Sequence, residues 1–247
     1  MAKPFIAIIL LFWVVALVGF TPTYFLRLGD VPPVAHFHGL MLFGWYALML
    51  IQASLIQARR NSFHRALGKV SFLWAPLIVV ASLMATHAML ARDAQPLADG
   101  GLQASAYNLR LFAIILVTLV GFAFFYIQAL RERRNWKLHS RYMIATGLVL
   151  LTPALVRAIA IFVLPHLVTF SDPPTLDQMT LPENVSLPLL QLFALVLLIN
   201  DWRKGQEVRP YGYCLLALVL NQAALNWLPG QEWWSDFGTA FLALPLG

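Results

Sequence analysis

Charged residues are scarce in this chain. Only 11% of its 247 residues are Asp, Glu, Lys or Arg, whereas about a quarter is usual in soluble domains, and 60% are hydrophobic. The mean hydropathy is +0.72. Backbone groups in lipid must hydrogen-bond within helices or closed barrels, and the alternating strands of a barrel are absent. The composition therefore predicts an all-α integral membrane bundle.

Cysteine is almost absent as well, because Cys214 is the only one. This excludes an intrachain disulfide and a thiolate metal cage.

Other absences exclude further classes of protein. The last lysine, Lys204, lies in a predicted loop, which excludes a retinal Schiff base in the last span, and there is no His-x-x-x-His pair for a membrane zinc hydrolase. Glycine-rich nucleotide-binding motifs are also missing.

Seven apolar segments are long enough to predict membrane spans, at roughly 20 residues per span. They cover Phe5–Leu28, Val34–Gln57, Val70–Ala91, Leu109–Leu130, Tyr142–Leu164, Leu187–Asn200 and Tyr211–Leu228. We expect residues 1–247 to form a single transmembrane domain. The segment Val168–Pro188, with four prolines, is predicted to be an irregular loop, and the tail Gln231–Gly247 to lie along the surface. No acidic residue falls well inside a predicted span, which argues against a carboxylate proton relay.

Every second predicted loop is basic, which predicts the orientation of the chain. The basic loops contain Arg59, Arg60, Arg65 and Lys69; then Arg131, Arg133, Arg134, Lys137 and Arg141; then Arg203, Lys204 and Arg209. The intervening loops contain Asp93 and Asp99, then Asp172, Asp177 and Glu183. By the positive-inside rule the N-terminus lies inside and the C-terminus outside, in what we expect to be a bacterial cytoplasmic membrane. The formal charge of +6 is thus explained by loops beside the lipid bilayer, and no nucleic acid partner is expected.

Tryptophans at the ends of the predicted spans are typical of an interfacial belt. This pattern places Trp136 and Trp202 at the inner interface, and Trp227, Trp233 and Trp234 at the outer one.

The six histidines fall into two layers of the predicted bundle. His64 and His139 lie at the inner ends of spans, while His36, His38, His87 and His166 lie towards the outer side. At 100° per residue, two helices present polar stripes that we expect to face the bundle interior. The stripes are His38, Met41, Leu42, Trp45, Met49 and Gln52 on the second span, and His139, Met143, Thr146, Leu150, Pro153 and Arg157 on the fifth. Pro153 is expected to bend the fifth helix.

Two layers of imidazoles from different helices are what two six-coordinate haems require. One predicted iron site pairs His64 with His139, and the other pairs His38 with His87. Arg157 lies well inside a span, so it needs an anion, carbonyl groups or water, and a haem propionate is one such partner. The alternative is that these histidines are hydrogen-bonded interface residues, which is the more usual role at positions such as His36 and His166.

The segment His38-Gly-Leu-Met…Trp45…Gln52…Arg59-Arg60…His64-Arg65-Ala-Leu-Gly68 resembles the ferric-reductase and ascorbate-type transmembrane cytochromes b. The resemblance covers about 45 residues and implies haem ligation by His38 and His64. It departs from the family in the next span, Leu109–Leu130, which has no histidine. A second pattern, His64-Arg-x-x-Gly68 with His139-x-x-Tyr-Met143…Arg157, resembles a family of bacterial membrane proteins of unknown function and implies no activity.

Three functions remain open from the sequence. The first is a haem-b redox protein that moves electrons between a quinol or small reductant and an acceptor. The second is a non-enzymatic subunit or assembly factor of a larger respiratory-type membrane complex, in which the histidines bind a transition metal transiently or only structure an interface with membrane protein partners. The third is a transporter of a small solute or anion that uses Arg157 as its binding charge.

Overall fold

The computed structural model describes residues 3–96 and 102–246, so that Asp99 and Gly247 lie outside the described residues. The described residues form helices, the connections between them and one small hairpin, which confirms the predicted all-α class. The helices are α1 Lys3–Phe20, α2 Pro33–Gln57, α3 Asn61–Gly68, α4 Ser71–Arg92, α5 Ala106–Arg131, α6 Trp136–Val149, α7 Thr152–Phe162, α8 Leu176–Arg203, α9 Arg209–Trp227 and α10 Glu232–Leu242. Short 3-10 helices cover Phe25–Asp30, Leu164–His166 and Leu228–Gly230. Strands β1 (Gln95–Pro96) and β2 (Leu102–Gln103) pair antiparallel.

Five of these helices, α1, α2, α4, α5 and α8, are long and apolar enough to cross a membrane. Helices α6 and α7 pass the same test together as a sixth span, bent by 44°. The protein is therefore an integral membrane protein with five or six spans of clear membrane character. Helix α9 has 19 residues and packs against α5 and α8, but it is less apolar because it contains polar residues such as Asn221 and Gln222.

The bend between α6 and α7 lies where the sequence predicts it. Helix α6 ends at Val149 and α7 begins at Thr152, with Pro153 in its first turn. A proline cannot donate a backbone hydrogen bond, but in the first turn of a helix that donor has no partner anyway. The proline thus starts a new helix in a changed direction.

Helix α8 is twice as long as the predicted sixth span, Leu187–Asn200. Its N-terminus is held by a capping box, in which the Thr175 hydroxyl accepts from the Gln178 N–H and the Gln178 side chain accepts from the Thr175 N–H. Pro182 and Pro188 lie inside the helix. The prediction of an irregular loop over Val168–Pro188 is therefore wrong for all residues beyond Thr175, since the helix tolerates both prolines.

A layer of hydrogen-bonded aromatic residues fills the middle of the bundle. Trp45 of α2 is fully buried, and its Nε1 donates to the Thr146 hydroxyl of α6 at 3.1 Å. The hydroxyl of the adjacent Tyr46 donates to the Gly147 carbonyl at 3.0 Å. Met41, Met49 and Leu150 are also buried. The prediction that both polar stripes face the interior is confirmed at this level.

The two ends of the bundle differ in composition. We call the end that contains α3, the α5–α6 turn and the α8–α9 turn the basic end, and the end that contains the β1–β2 hairpin and α10 the hairpin end. The predicted tryptophan belt needs one correction. Trp136, Trp202, Trp227 and Trp233 are exposed, but Trp234 is buried, with its Nε1 donating to the Leu109 carbonyl at 3.1 Å. It anchors α10 to α5 and lies outside the belt.

Candidate functional site

Two histidines face each other at the basic end. His64 lies on α3, the short helix that follows α2, and His139 lies in the first turn of α6. Their ring centroids are 6.4 Å apart and their ring planes are nearly perpendicular, at 89°. Both side chains are half-buried. The structure therefore brings together the two residues that the sequence predicts as an inner pair.

The environment of His139 determines which of its nitrogens carries the proton. Its Nδ1 is 2.8 Å from the Ala129 carbonyl oxygen near the end of α5. A carbonyl can only accept, so Nδ1 carries the hydrogen and Nε2 keeps a free lone pair. This orientation of the ring by a backbone carbonyl is characteristic of metal-binding histidines.

His64 is oriented by the side-chain amide of Gln52 on α2. With the amide oxygen accepting from the Gly68 N–H at 2.8 Å, the amide nitrogen donates to the His64 carbonyl at 3.2 Å and to His64 Nδ1. An accepting Nδ1 means that Nε2 carries the hydrogen in neutral His64. The pair is therefore complementary, with a donor on His64 Nε2 and an acceptor on His139 Nε2.

The electrostatic setting of His64 favours its neutral form. Burial lowers the pKa of His64, and the nearby His139 and the adjacent Arg65 lower it further, while the contact with Gln52 raises it. A neutral imidazole is the form that can offer a lone pair to a metal ion.

The histidines near the hairpin end have separate partners. His38 Nδ1 lies 3.4 Å from the Ser82 hydroxyl of α4. His87 Nε2 donates to the Leu242 carbonyl at 3.1 Å, and its ring contacts Phe241 with centroids 5.8 Å apart. His87 thus holds the end of α10, and the structure shows this contact in place of the predicted pairing with His38.

The two remaining histidines, His36 and His166, lie in environments that agree with the alternative role of interface residues. His36 Nδ1 hydrogen-bonds the Tyr24 hydroxyl at 3.0 Å, and His166 is exposed in a 3-10 helix.

Arg157 lies on α7 near the same end as His38. One of its terminal nitrogens, Nη1, donates to the Pro153 carbonyl at 3.0 Å. Its guanidinium carbon lies 4.8 Å from the centre of the Phe20 ring of α1. A backbone carbonyl and an aromatic face lower the cost of placing an arginine in a span, but they do not neutralise its charge.

Sequence reasoning missed a buried acidic residue on α8, which packs against α7, the helix that carries Arg157. Glu183 lies seven residues inside α8 and is 1% exposed, with one oxygen accepting from the Tyr107 hydroxyl at 3.1 Å. The prediction that no span contains an acidic residue well inside it is therefore wrong. The Thr175-x-x-Gln178 capping box is the sequence signal that could have placed Glu183 inside a helix.

A second buried acid, Asp201, pairs with Arg141 at the basic end. Arg141 donates to both Asp201 oxygens, at 2.5 and 2.8 Å, and both side chains are at most 10% exposed. The sequence placed Arg141 in a basic loop, but it lies inside α6 and joins that helix to the end of α8.

The described residues contain no group of three or more His, Cys, Asp or Glu side chains that could hold a metal ion. A tetrahedral zinc site needs at least three protein ligands. A haem iron needs at most two, because the macrocycle supplies the others. Two histidines are thus too few protein ligands for a tetrahedral zinc site within the described residues.

Comparison with models of protein families, with curated proteins and with solved structures found no match to this chain.

Proposed function

We propose that this protein is a membrane redox protein that holds one haem b iron between His64 and His139. The distance between the two rings supports the proposal. Imidazole nitrogens lie about 2 Å from a coordinated metal, so two axial imidazoles place their ring centroids roughly 6 Å apart. The observed separation is 6.4 Å. Bound haem would supply reversible one-electron chemistry between a quinol or small reductant and an acceptor.

The protein groups around the pair have distinct roles in this proposal. The Ala129 carbonyl fixes the His139 ring with Nε2 free. Gln52 fixes the His64 ring, and His64 must move its proton from Nε2 before that nitrogen can bind iron. Arg65, which follows His64, supplies a positive charge for an anionic propionate.

The proposal includes one iron site rather than the two predicted from the sequence. His87 uses its Nε2 to hold the Leu242 carbonyl, and a second haem would have to displace that contact. At the basic end His139 Nε2 is already free, whereas His64 would have to move its proton to Nδ1 and give up the hydrogen bond that Nδ1 accepts from Gln52.

The proposal also includes seven spans, with the N-terminus and the basic end on the cytoplasmic side of a bacterial membrane. Helix α9 supports the seventh span because it is 19 residues long and packs beside α5 and α8. The alternation of basic and acidic connections supports the orientation.

The visible absorption spectrum of detergent-purified protein, before and after reduction with dithionite, tests the haem proposal. We expect a Soret band that sharpens on reduction, with resolved α and β bands. The variants His64→Ala and His139→Ala should lose this spectrum while folded protein is retained. His166→Ala is the matched control, since His166 is exposed, and its spectrum should not change. A featureless spectrum from protein expressed with ample haem would contradict the proposal and favour the subunit hypothesis.

A further inference from the structure

A cleft at the basic end of the bundle is lined by three arginines. It lies where α5 ends and the turn to α6 follows, and its volume is about 380 Å³. Its lining has an apolar part, formed by Ile127 and Leu130 of α5. The charged part consists of Arg131, Arg133 and Arg134. We call this cavity the arginine cleft, and neither histidine of the facing pair lines it.

Carboxylates do not balance the positive charge of the arginine cleft. Within the described part of the chain, none of its three arginines belongs to an ion pair closer than 4 Å. Arg131 donates to the side-chain oxygen of Gln128 at 3.2 Å, and that amide is neutral. Glu132 lies in the same turn but does not line the cleft. Because arginine stays protonated in proteins, these charges persist at every physiological pH and favour an anionic ligand.

The arginine cleft lies at the level where lipid headgroups meet acyl chains. Ile127 is 48% exposed on α5, one of the long apolar helices that can cross a membrane. Trp136, the first residue of α6, is equally exposed, and exposed tryptophans at the ends of spans typically lie among the headgroups. The turn that carries Arg133 and Arg134 connects these two positions. The cleft is therefore apolar towards the span and charged towards the headgroups.

We propose that the arginine cleft binds the headgroup of one anionic phospholipid. The exposed guanidiniums of Arg133 and Arg134 donate to the phosphate, which guanidinium groups bind through strong, charge-assisted hydrogen bonds. The first carbons of an acyl chain pack on Ile127 and Leu130. The cleft is many times larger than the ~30 Å³ that one water molecule occupies in the liquid, so it has room for the phosphate and the groups attached to it.

The apolar part of the cleft favours a lipid over a free phosphate ion. A free phosphate ion would use only the arginines and would leave Ile127 and Leu130 without a partner. An anionic lipid matches both parts, and basic pockets beside the ends of spans suit such headgroups. This site is independent of the proposed redox function, since it uses neither histidine of the facing pair.

Native mass spectrometry of delipidated protein in a neutral detergent measures how many lipid molecules bind and how tightly. We expect one phosphatidylglycerol per chain to bind at least about fivefold more tightly than phosphatidylcholine, which has no net charge. The double variant Arg133→Gln/Arg134→Gln should weaken this binding about 25-fold, at about fivefold per cation. The matched control is Arg203→Gln/Lys204→Gln, which removes two exposed charges from the other turn at the same end and should bind as the wild type does.

Three outcomes would overturn the proposal. Equal affinity for the two lipids would exclude recognition of an anionic headgroup. Equal losses in the two double variants would show that attraction is spread over the basic end and is not localised in the cleft. Displacement of the lipid by inorganic phosphate at the same concentration would assign the cleft to a free anion.

A single variant keeps the test decisive if the double variant does not fold. Arg131→Gln changes an exposed side chain in the last turn of α5 and should weaken phosphatidylglycerol binding about fivefold. Unchanged binding in this variant would contradict the proposal. The variant His64→Ala should bind the lipid as the wild type does, so that failure of the lipid site and failure of the haem proposal are distinguishable.

Discussion

His64 occupies a position where three neighbours act on one ring. Gln52 contacts its Nδ1, His139 faces it, and Arg65 adds a positive charge beside it. Burial, His139 and Arg65 each disfavour an additional proton on His64, whereas the contact with Gln52 favours it. The first three effects outweigh the last, so the pKa of His64 is lowered. The ring is thus held neutral at a pH at which a histidine in the unfolded chain begins to charge.

This difference predicts how the stability of haem-free protein depends on pH. The pKa of His64 is lower in the folded chain than its usual value, so below about pH 6.5 the unfolded chain binds a proton that the folded chain does not. The contribution of His64 to stability is therefore complete above that pH and falls as the pH drops towards the folded pKa. Thermal unfolding in detergent at a series of pH values measures this loss.

The variant His64→Gln should weaken this pH dependence, because it removes the titrating group while keeping a polar side chain. His166→Gln is the matched control, since His166 is exposed and should leave the wild-type dependence intact. If His64→Gln and wild-type protein lose stability equally on acidification, then another group is responsible for the loss.

Single residues also show the limits of prediction from sequence. The stripe from His38 to Gln52 predicted the buried face of α2 correctly, because helical spacing alone determines which side chains share a face. The protonation of His64 and His139 could not be predicted, because it depends on Gln52 and on the Ala129 carbonyl. Those partners are distant in sequence and become neighbours only when the helices pack.

At the level of helices, the ion pair between Arg141 and Asp201 joins the start of α6 to the end of α8. The guanidinium binds both carboxylate oxygens, and Arg141 also donates to the Lys137 carbonyl. Removing one member of a buried pair leaves the other charge without compensation, which costs about 3–5 kcal/mol. Replacing both members with apolar residues avoids that cost.

We therefore expect Arg141→Met and Asp201→Leu each to lower the unfolding temperature strongly, and the double variant to recover much of the loss. Thermal unfolding of the three variants forms a double-mutant cycle. Arg92→Met is the control, because the Arg92–Asp93 pair is exposed and should contribute at most about 1 kcal/mol. Losses that simply add in the double variant would show that the pair is not coupled.

Helix boundaries were the weakest part of the sequence-based prediction, and α8 shows why. Hydropathy alone placed its start at Leu187, since the preceding residues include Asp177, Glu183 and four side chains with an amide or a hydroxyl group. The helix begins at Leu176 because a capping box starts it and because its polar side chains meet partners on other helices. Asn184, for example, accepts from Gln222 of α9 at 2.6 Å. Such pairing cannot be read from a single segment.

For the whole molecule, alternation of loop charge carries most of the information about orientation. Long apolar helices could be predicted from composition because lipid tolerates little else. Helix α9 is the uncertain element for a sequence-based count, since its polar residues lower its hydropathy. Several of these polar side chains form hydrogen bonds inside the bundle. Asn221, for example, donates to the Thr118 hydroxyl of α5 at 3.1 Å. Internal hydrogen bonding of this kind lets a moderately polar helix cross a membrane.

Site-directed labelling tests whether α9 crosses and which end faces the cytoplasm. Cys214 is buried and can be replaced by Ala to give a cysteine-free chain. Into it we would introduce Lys204→Cys before α9 or Asp236→Cys after it, both at exposed positions. A membrane-impermeant maleimide should label Asp236→Cys in intact cells, but Lys204→Cys only after permeabilisation, because the positive-inside rule places the basic end in the cytoplasm.

Arg134→Cys, in the α5–α6 turn, is the matched control and should behave like Lys204→Cys, since both lie at the basic end. If Lys204→Cys and Asp236→Cys react from the same side, then α9 does not cross and the chain has six spans. If the two sites react from opposite sides but with Lys204→Cys accessible in intact cells, then α9 crosses and the orientation is reversed. In that case the histidine pair faces the outside of the cell, and an electron donor for the proposed haem would have to be sought there.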